Sequence, residues 1–230
     1  MRNYFKSLAI TFLSIGLLTA CDKSDETSNP TVSFNFNTVN TASSVPAART
    51  ASANTLAFTS GTITLSRIEF EADLANGDSI EARLDQTVVI DFATGETNPS
   101  LPNLVFPVGN FVESSVELEL LDENNIPSVI LEGTFVDGQG QSHPVRFEFN
   151  SGETFEVEKE GVYAFEAGKS IVAEVTFDPS VWFMGVSGEM LEAATKNGQG
   201  VIVISETSNP EIFDIAADGL DLATEIEITF

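Results

Sequence analysis

From Leu56 onward, apolar side chains return at every second position, in one short segment after another. Successive side chains of a strand point to opposite faces, so this period buries one face of a sheet and leaves the other wet. Phe111, Val112, Val116, Leu118 and Leu120 form the apolar set of one such segment, with which Glu113, Glu117 and Glu119 alternate. Segments of this kind bounded by regular turns build a sandwich or a barrel.

Along the chain, the first alternating run is Val32-Phe34-Phe36. Residues 38–54 are rich in Ser, Thr, Ala and Asn and read as a mobile loop or second linker. Ile63, Leu65, Ile68 and Phe70 mark a strand whose period slips by one near Ser66-Arg67, the pattern of a bulge. Ile80 to Phe92 holds one strand or two joined by a kink, and residues 93–103 form a turn-rich loop. After the Asn124-Asn125 turn, Val129 to Val136 returns through a hairpin at Asp137-Gly138-Gln139-Gly140 to Val145-Phe147-Phe149. Phe155-Val157, Val162-Phe165 and Ile171 to Phe177 follow as further strands.

The pattern then changes. Ser187 to Lys196 has helical spacing, and Val201 to Ile204 is an apolar strand. Asn209-Pro210-Glu211 offers an N-cap, a first-position proline and an acid in the first turn, and Gly219 is placed to end that helix. Residues 224–230 alternate again. The fold class expected is all-β, a mainly antiparallel β-sandwich with one or two short helices near the C-terminus. The pattern is similar to bacterial lipoprotein families with immunoglobulin-like or transthyretin-like sandwiches. The whole chain has eighteen Phe residues against one Trp and two Tyr, and those beyond residue 20 supply its core, because Phe has no polar handle to keep in water.

The N-terminus carries a different signal. Arg2 and Lys6 precede an apolar run, Ser7 to Leu17, too short to span a bilayer comfortably. Leu18-Thr19-Ala20-Cys21 follows, and Cys21 is the only cysteine. This arrangement resembles the type II (lipobox) signal peptide of bacterial lipoproteins, in which the cysteine is lipidated and becomes the first mature residue. The resemblance implies a signal peptide at 1–20, a polar tether at 21–30 and a single sandwich domain at 31–230. It implies membrane attachment through lipid on Cys21, which leaves no thiol for catalysis or a disulfide. Asp22-Lys23-Ser24-Asp25-Glu26 is similar, with Ser24 interrupting, to the acidic export tag of Bacteroidota surface lipoproteins. The implied location is the outer membrane, with display in the periplasm or on the cell surface.

Removal of residues 1–20 takes away Arg2 and Lys6 and no acid, so the −25 of the whole chain becomes −27. Such a surface repels nucleic acid and anionic headgroups. Histidine chemistry has one candidate, His143, read as a loop residue. Gly185-Val186-Ser187-Gly188-Glu189 lacks the last glycine of a nucleophile elbow. Zinc, copper and iron need His and Cys, of which this chain has one each, so calcium is the ion the composition serves. Asp214, Asp218, Gly219 and Glu225 match four positions of an EF-hand loop, but Ala216 and Leu222 replace two ligands, and a chance match outweighs a site. Trp182, in Val181-Trp182-Phe183-Met184, is a candidate ligand contact for which core packing is the stronger reading. The function expected is a non-enzymatic, lipid-anchored envelope module binding a protein, glycan or cation, without a cofactor. The alternative is a hydrolase of extracellular polymers with paired carboxylates.

Overall fold

The computed structural model describes residues 28–40, 43–45, 54–123, 125–220 and 224–229. Two sheets face each other as a mainly antiparallel β-sandwich. The smaller contains β1 (Thr31–Thr38), β6 (Leu104–Val105), β11 (Ser170–Phe177) and β13 (Thr224–Thr229), in the order β13-β11-β1-β6. The larger runs β10-β7-β3-β8-β9-β12. These are β10 (Thr154–Phe165), β7 (Gly109–Leu120), β3 (Asn54–Leu74), β8 (Val129–Val136), β9 (Ser142–Phe149) and β12 (Ile202–Ile204). Three more strands join it: β2 (Ser43–Val45) and β4 (Ser79–Asp91) pair with β3, and β5 (Thr97–Asn98) pairs with β4. The helices are α1 (Pro179–Trp182), α2 (Gly188–Ala193) and α3 (Pro210–Leu220).

β3 organises the molecule. Its 21 residues pair antiparallel with β8 over Thr55–Ile63 and with β7 over Leu65–Leu74. Ile63 pairs with Val129 of β8 on one side and Ile90 of β4 on the other. Along one edge of β3, therefore, β8 and β7 lie end to end. They abut at Thr64, whose N–H donates to Ser128 O (2.7 Å) and whose carbonyl accepts from Leu121 N (2.9 Å). One residue on, the register slips between Leu65 and Arg67 against both neighbours, the bulge expected there. Against β7 the extra residue is Ser66, whose hydroxyl donates to the carbonyls of Glu119 and Leu120 at 3.3 Å; against β4 the extra residue lies on β4, where Gln86 and Thr87 together face Ser66. A second slip lies between Phe58 and Ser60. Just beyond it, Gly61 takes φ +144°, and a Cβ there would stand 2.0 Å from Ile130 O. Only glycine lets β8 approach so closely.

Beneath β3 the core is one contiguous cluster with two aromatic centres. Under the C-terminal half, Phe70 meets Phe106 edge-on at 5.0 Å, and Phe165 packs on Phe111 at 4.4 Å. Under the N-terminal half, Phe183 touches Phe58 at 5.0 Å and Phe147 at 5.3 Å, and Phe213 lies against Phe147 and Phe149. Each fully buried Phe is worth about 1.5–3 kcal/mol of transfer free energy.

Several local expectations change. β2 falls in the segment read as loop, and β3 begins at Asn54, earlier than the periodicity predicts. β4 is one strand, and β10 unites two expected strands across a bulge between Glu160 and Tyr163. Three helices form, the extra one being α1, capped by Asp178, whose Oδ1 accepts from Ser180 N at 2.8 Å. Gly219 does not end α3 but lies within it. A Cβ at Gly219 would sit 2.3 Å from Trp182 O, so its small size lets α3 pack on α1. Asn209 has φ +53°, and its side chain points away from a capping role. Its amide donates to the carbonyls of Val203 (2.6 Å) and Thr195 (3.0 Å), and its Oδ1 accepts from Thr195 N, tying β12 to the chain beyond α2.

Candidate functional site

The residues singled out from the sequence do not converge. Cys21 lies outside the described residues. Trp182 is 1% exposed and packs edge-on against Phe177 at 6.5 Å, so it is a core residue and not a ligand contact. Asp214 and Asp218 stand one turn apart on the exposed side of α3, and Glu225 lies in β13 opposite Thr176. An EF-hand loop starting at Asp214 is not formed, because Asp214 to Leu220 are already committed to helical hydrogen bonds. Among the described residues, no three His, Cys, Asp or Glu side chains group closely enough to hold a metal ion.

What the fold does assemble is a polar clasp at the β8–β9 hairpin. Asp137 closes the turn: its Oδ1 accepts from the N–H groups of Gln139 and Gln141, both at 2.8 Å. Its Oδ2 lies 2.9 Å from Nε2 of His143. A carboxylate can only accept, so Nε2 carries the proton. Nδ1 of His143 then accepts from Nζ of Lys196 at 3.0 Å. The imidazole lies over Phe135, its cross-strand partner. The hydrogen bond from His143, then those from Gln141 and Gln139, hold the Asp137 carboxyl below its ordinary range despite its partial burial. Gly138 N also donates to Glu192 of α2 at 3.4 Å. Both ring nitrogens of His143 are engaged, so the ring presents no free lone pair to a substrate. The arrangement fastens the hairpin to the segment after α2.

Two concavities flank this clasp. One, about 490 Å³, opens between α2 and α3. Met190, Ala193 and Ile212 supply its apolar side, and Glu189, Thr195 and Glu211 its polar side. The other, about 430 Å³, lies over β8 and β9 and includes Ser60, Glu132, Arg146 and Asn197. There Arg146 holds Glu132 at 2.8 Å and Glu148 at 2.5 Å. Trp182 lines neither.

The outer face of the other half of the large sheet is a field of carboxylates set by register. Glu69 stands between Arg83 and Glu117, Glu71 between Glu81 and Ser115, and Asp73 between Ser79 and Glu113. Arg67 is the main counter-charge: it pairs with Glu117, with Glu119 at 3.1 Å and with Glu69 at 3.7 Å. Partial burial raises the pKa of Glu69, and repulsion from Glu81 and Glu117 raises it further, against the pull of Arg67 and Arg83. Glu69 and Glu117 are cross-strand partners on an open sheet face rather than in a cleft, where a glycosidase holds its two carboxylates.

Asp137 is visible in the sequence as a turn acid of the hairpin, whereas His143, read there as a loop residue, is placed in strand β9 opposite Phe135. Lys196 is 53 residues from His143, and no local signal joins them. No family model matches this chain, and neither a curated protein nor a solved structure matches it. The sandwich is therefore described by its own strand order rather than by the immunoglobulin-like or transthyretin-like type.

Proposed function

We propose that the chain is a lipid-anchored, non-enzymatic module of the cell envelope, held in the outer membrane through Cys21 and binding a protein, glycan or cation with its far end. The observation that carries this reading is an opposition of ends. The chain enters the sandwich at Ser28–Thr31, where Gly168 N donates to Ser28 O (2.6 Å) and Phe106 N to Pro30 O (3.0 Å). Both concavities and the Asp137–His143–Lys196 clasp belong to the opposite half, around the N-terminal part of β3. A tether at one end and recessed surfaces at the other suit display of a binding surface away from a membrane. The apolar floor and the glutamates of the α2–α3 cleft suit a ligand that offers a hydrophobic patch beside cationic or hydroxyl groups.

Fatty-acid labelling of the wild type against Cys21→Ala tests the anchor, and equal labelling overturns it. For the binding half of the reading, Ala193→Trp fills the α2–α3 cleft. Whole cells or envelope fractions that bind the wild-type far end should bind this variant at least about tenfold more weakly. Unchanged binding would move the surface elsewhere.

A further inference from the structure

The geometry points to a second membrane contact: the end at which the chain enters the sandwich rests on the bilayer through exposed valines of the β6–β7 corner and the β7–β10 bulge. The inference rests on the lipid anchor proposed above and says what that anchor does to the orientation of the domain.

Four observations meet at this end. First, Val105 (62% exposed) and Val108 (56%) flank the short link from β6 to β7, with Pro107 exposed between them. Val112 and Val162 (80% exposed) lie at the irregularity between β7 and β10. Other large apolar side chains exposed among the described residues, Ile126 and Met184, lie elsewhere. Single exposed valines need no explanation, but several gathered on one end of an otherwise acid-covered sandwich do.

Second, the topology gathers them. Thr31 at the start of β1 pairs with Val105 and with Ser170, the first residue of β11. Gly109 at the start of β7 pairs with Phe165 at the end of β10, and Phe111 pairs with Leu74 at the end of β3. The 106–108 link, the 166–169 turn and the β3–β4 turn therefore all belong to this one end.

Third, the chain outside the described residues is short. Only residues 22–27 separate Cys21 from Ser28, and a fully extended backbone covers no more than about 25 Å over that stretch. The contour of β3 alone is roughly 70 Å, so the tether confines the entry end to the neighbourhood of the bilayer while leaving the far end room to stand well clear of it.

Fourth, the exposed polar residues of the two turns at this end, Glu166, Lys169 and Asp78, carry mixed charge, and the carboxylate rows reach it only at the bulge, where Glu160 and Glu113 border Val162 and Val112. A bilayer surface, and not a protein, is the occupant the tether selects, because the anchor holds that surface against this end at high effective concentration. Valines alone bind an interface weakly; added to an acyl anchor they fix tilt rather than attachment.

The test uses the full-length lipidated protein in phosphatidylcholine vesicles with brominated acyl chains, which quench indole fluorescence at the headgroup–acyl boundary. Val108→Trp is the reporter, Met184→Trp the control beyond the far end of β11, and buried Trp182 the common background. The reporter is expected to shift blue and lose roughly half its added emission, while the control keeps its own. Val105→Asp added to the reporter should restore most of the loss, and both sites are exposed enough to tolerate the changes. Reporter and control unquenched alike, on protein that still floats with vesicles, would overturn the docking and leave the anchor intact. Flotation of Cys21→Ala equal to wild type would instead overturn the anchor and, with it, this inference.

Discussion

The two halves of β3 share one backbone and one buried cluster yet meet water on opposite terms. The C-terminal half, against β4 and β7, covers its outer face with Glu69, Glu71, Asp73, Glu113, Glu117 and Glu119, and Arg67 gathers three of them. The N-terminal half, against β8 and β9, places its acids in local closures: Asp137 in its turn with His143, and Glu132 and Glu148 on Arg146. The first half accumulates repulsion and relies chiefly on Arg67, with Arg83 beside Asp85 and Glu69, to relieve it; the second closes Asp137, Glu132 and Glu148 on cations or donors where they stand. The difference teaches where a charged domain keeps its recesses. The self-repelling half presents an open sheet face, while the half with local closures carries the helices and the two clefts described above.

That contrast can be broken most forcefully through the core. Phe70→Ala and Phe147→Ala each empty one aromatic centre and should each cost about 3–5 kcal/mol in urea unfolding. Because β3 threads both centres, either variant should still unfold in one transition. A second transition in only one of them would mean that the halves are separate folding units. Gly61→Ala, between the halves, forces a side chain into φ +144° and against Ile130 O. It should cost about 1–3 kcal/mol from the backbone conformation alone, measured the same way.

Arg67→Met tests whether repulsion is real on the acidic half. It strands Glu69, Glu117 and Glu119, and a loss of about 1–3 kcal/mol is expected, shrinking in high salt. A salt-independent loss would assign the role of Arg67 to packing. The two halves should also answer acid with opposite signs. The depressed Asp137 carboxyl contributes stability that is complete above its unfolded pKa and lost as pH falls through its lower folded value, below about pH 4. Asp137→Asn should therefore lower the urea midpoint at neutral pH, with the gap to wild type closing toward pH 3. Glu69 is raised, so the folded state takes up its proton more readily than the unfolded chain. Its penalty is complete at neutral pH and relieved as pH falls through the raised value. Glu69→Gln should leave stability at pH 7 unchanged or higher by about 0.5 kcal/mol or less, the smallest effect of the set. A clear loss at pH 7 would show that attraction to Arg67 outweighs the repulsion.

Much of the fold is legible in the residues. The period-2 runs place β7, β8, β9 and β11, and the phase slip at Ser66-Arg67 marks the bulge beside which β7 and β8 abut. The β pattern opens at Leu56, close to the start of β3, but that β3 runs unbroken into Ile63 is not legible, because Thr59, Ser60 and Gly61 interrupt the alternation where a second bulge and a close backbone approach require it. Gly219 and Asn209 carry the local marks of a helix stop and a cap, but tertiary contacts claim both: one for a close crossing with α1, the other for a tie to β12. Trp182 is buried, as the stronger reading of its apolar context has it, and the fold supplies the cover, because α3 returns to pack on α1. Of the candidate site, the turn at Asp137 is local and readable, whereas its completion by Lys196 is not.

By itself the sequence determined the alternation that makes sheets, the phenylalanines that fill them, the acidity of the surface and the resemblance of its N-terminus to a lipoprotein signal. These are properties of neighbours along the chain, and short-range sterics and hydrophobic burial express them directly. The tertiary structure alone decided that Glu69 faces Glu117, that His143 lies between Asp137 and Lys196, and that chain entry and clefts occupy opposite ends. Those relations depend on register and long-range packing, where a one-residue slip would turn every side chain of a strand to the other face.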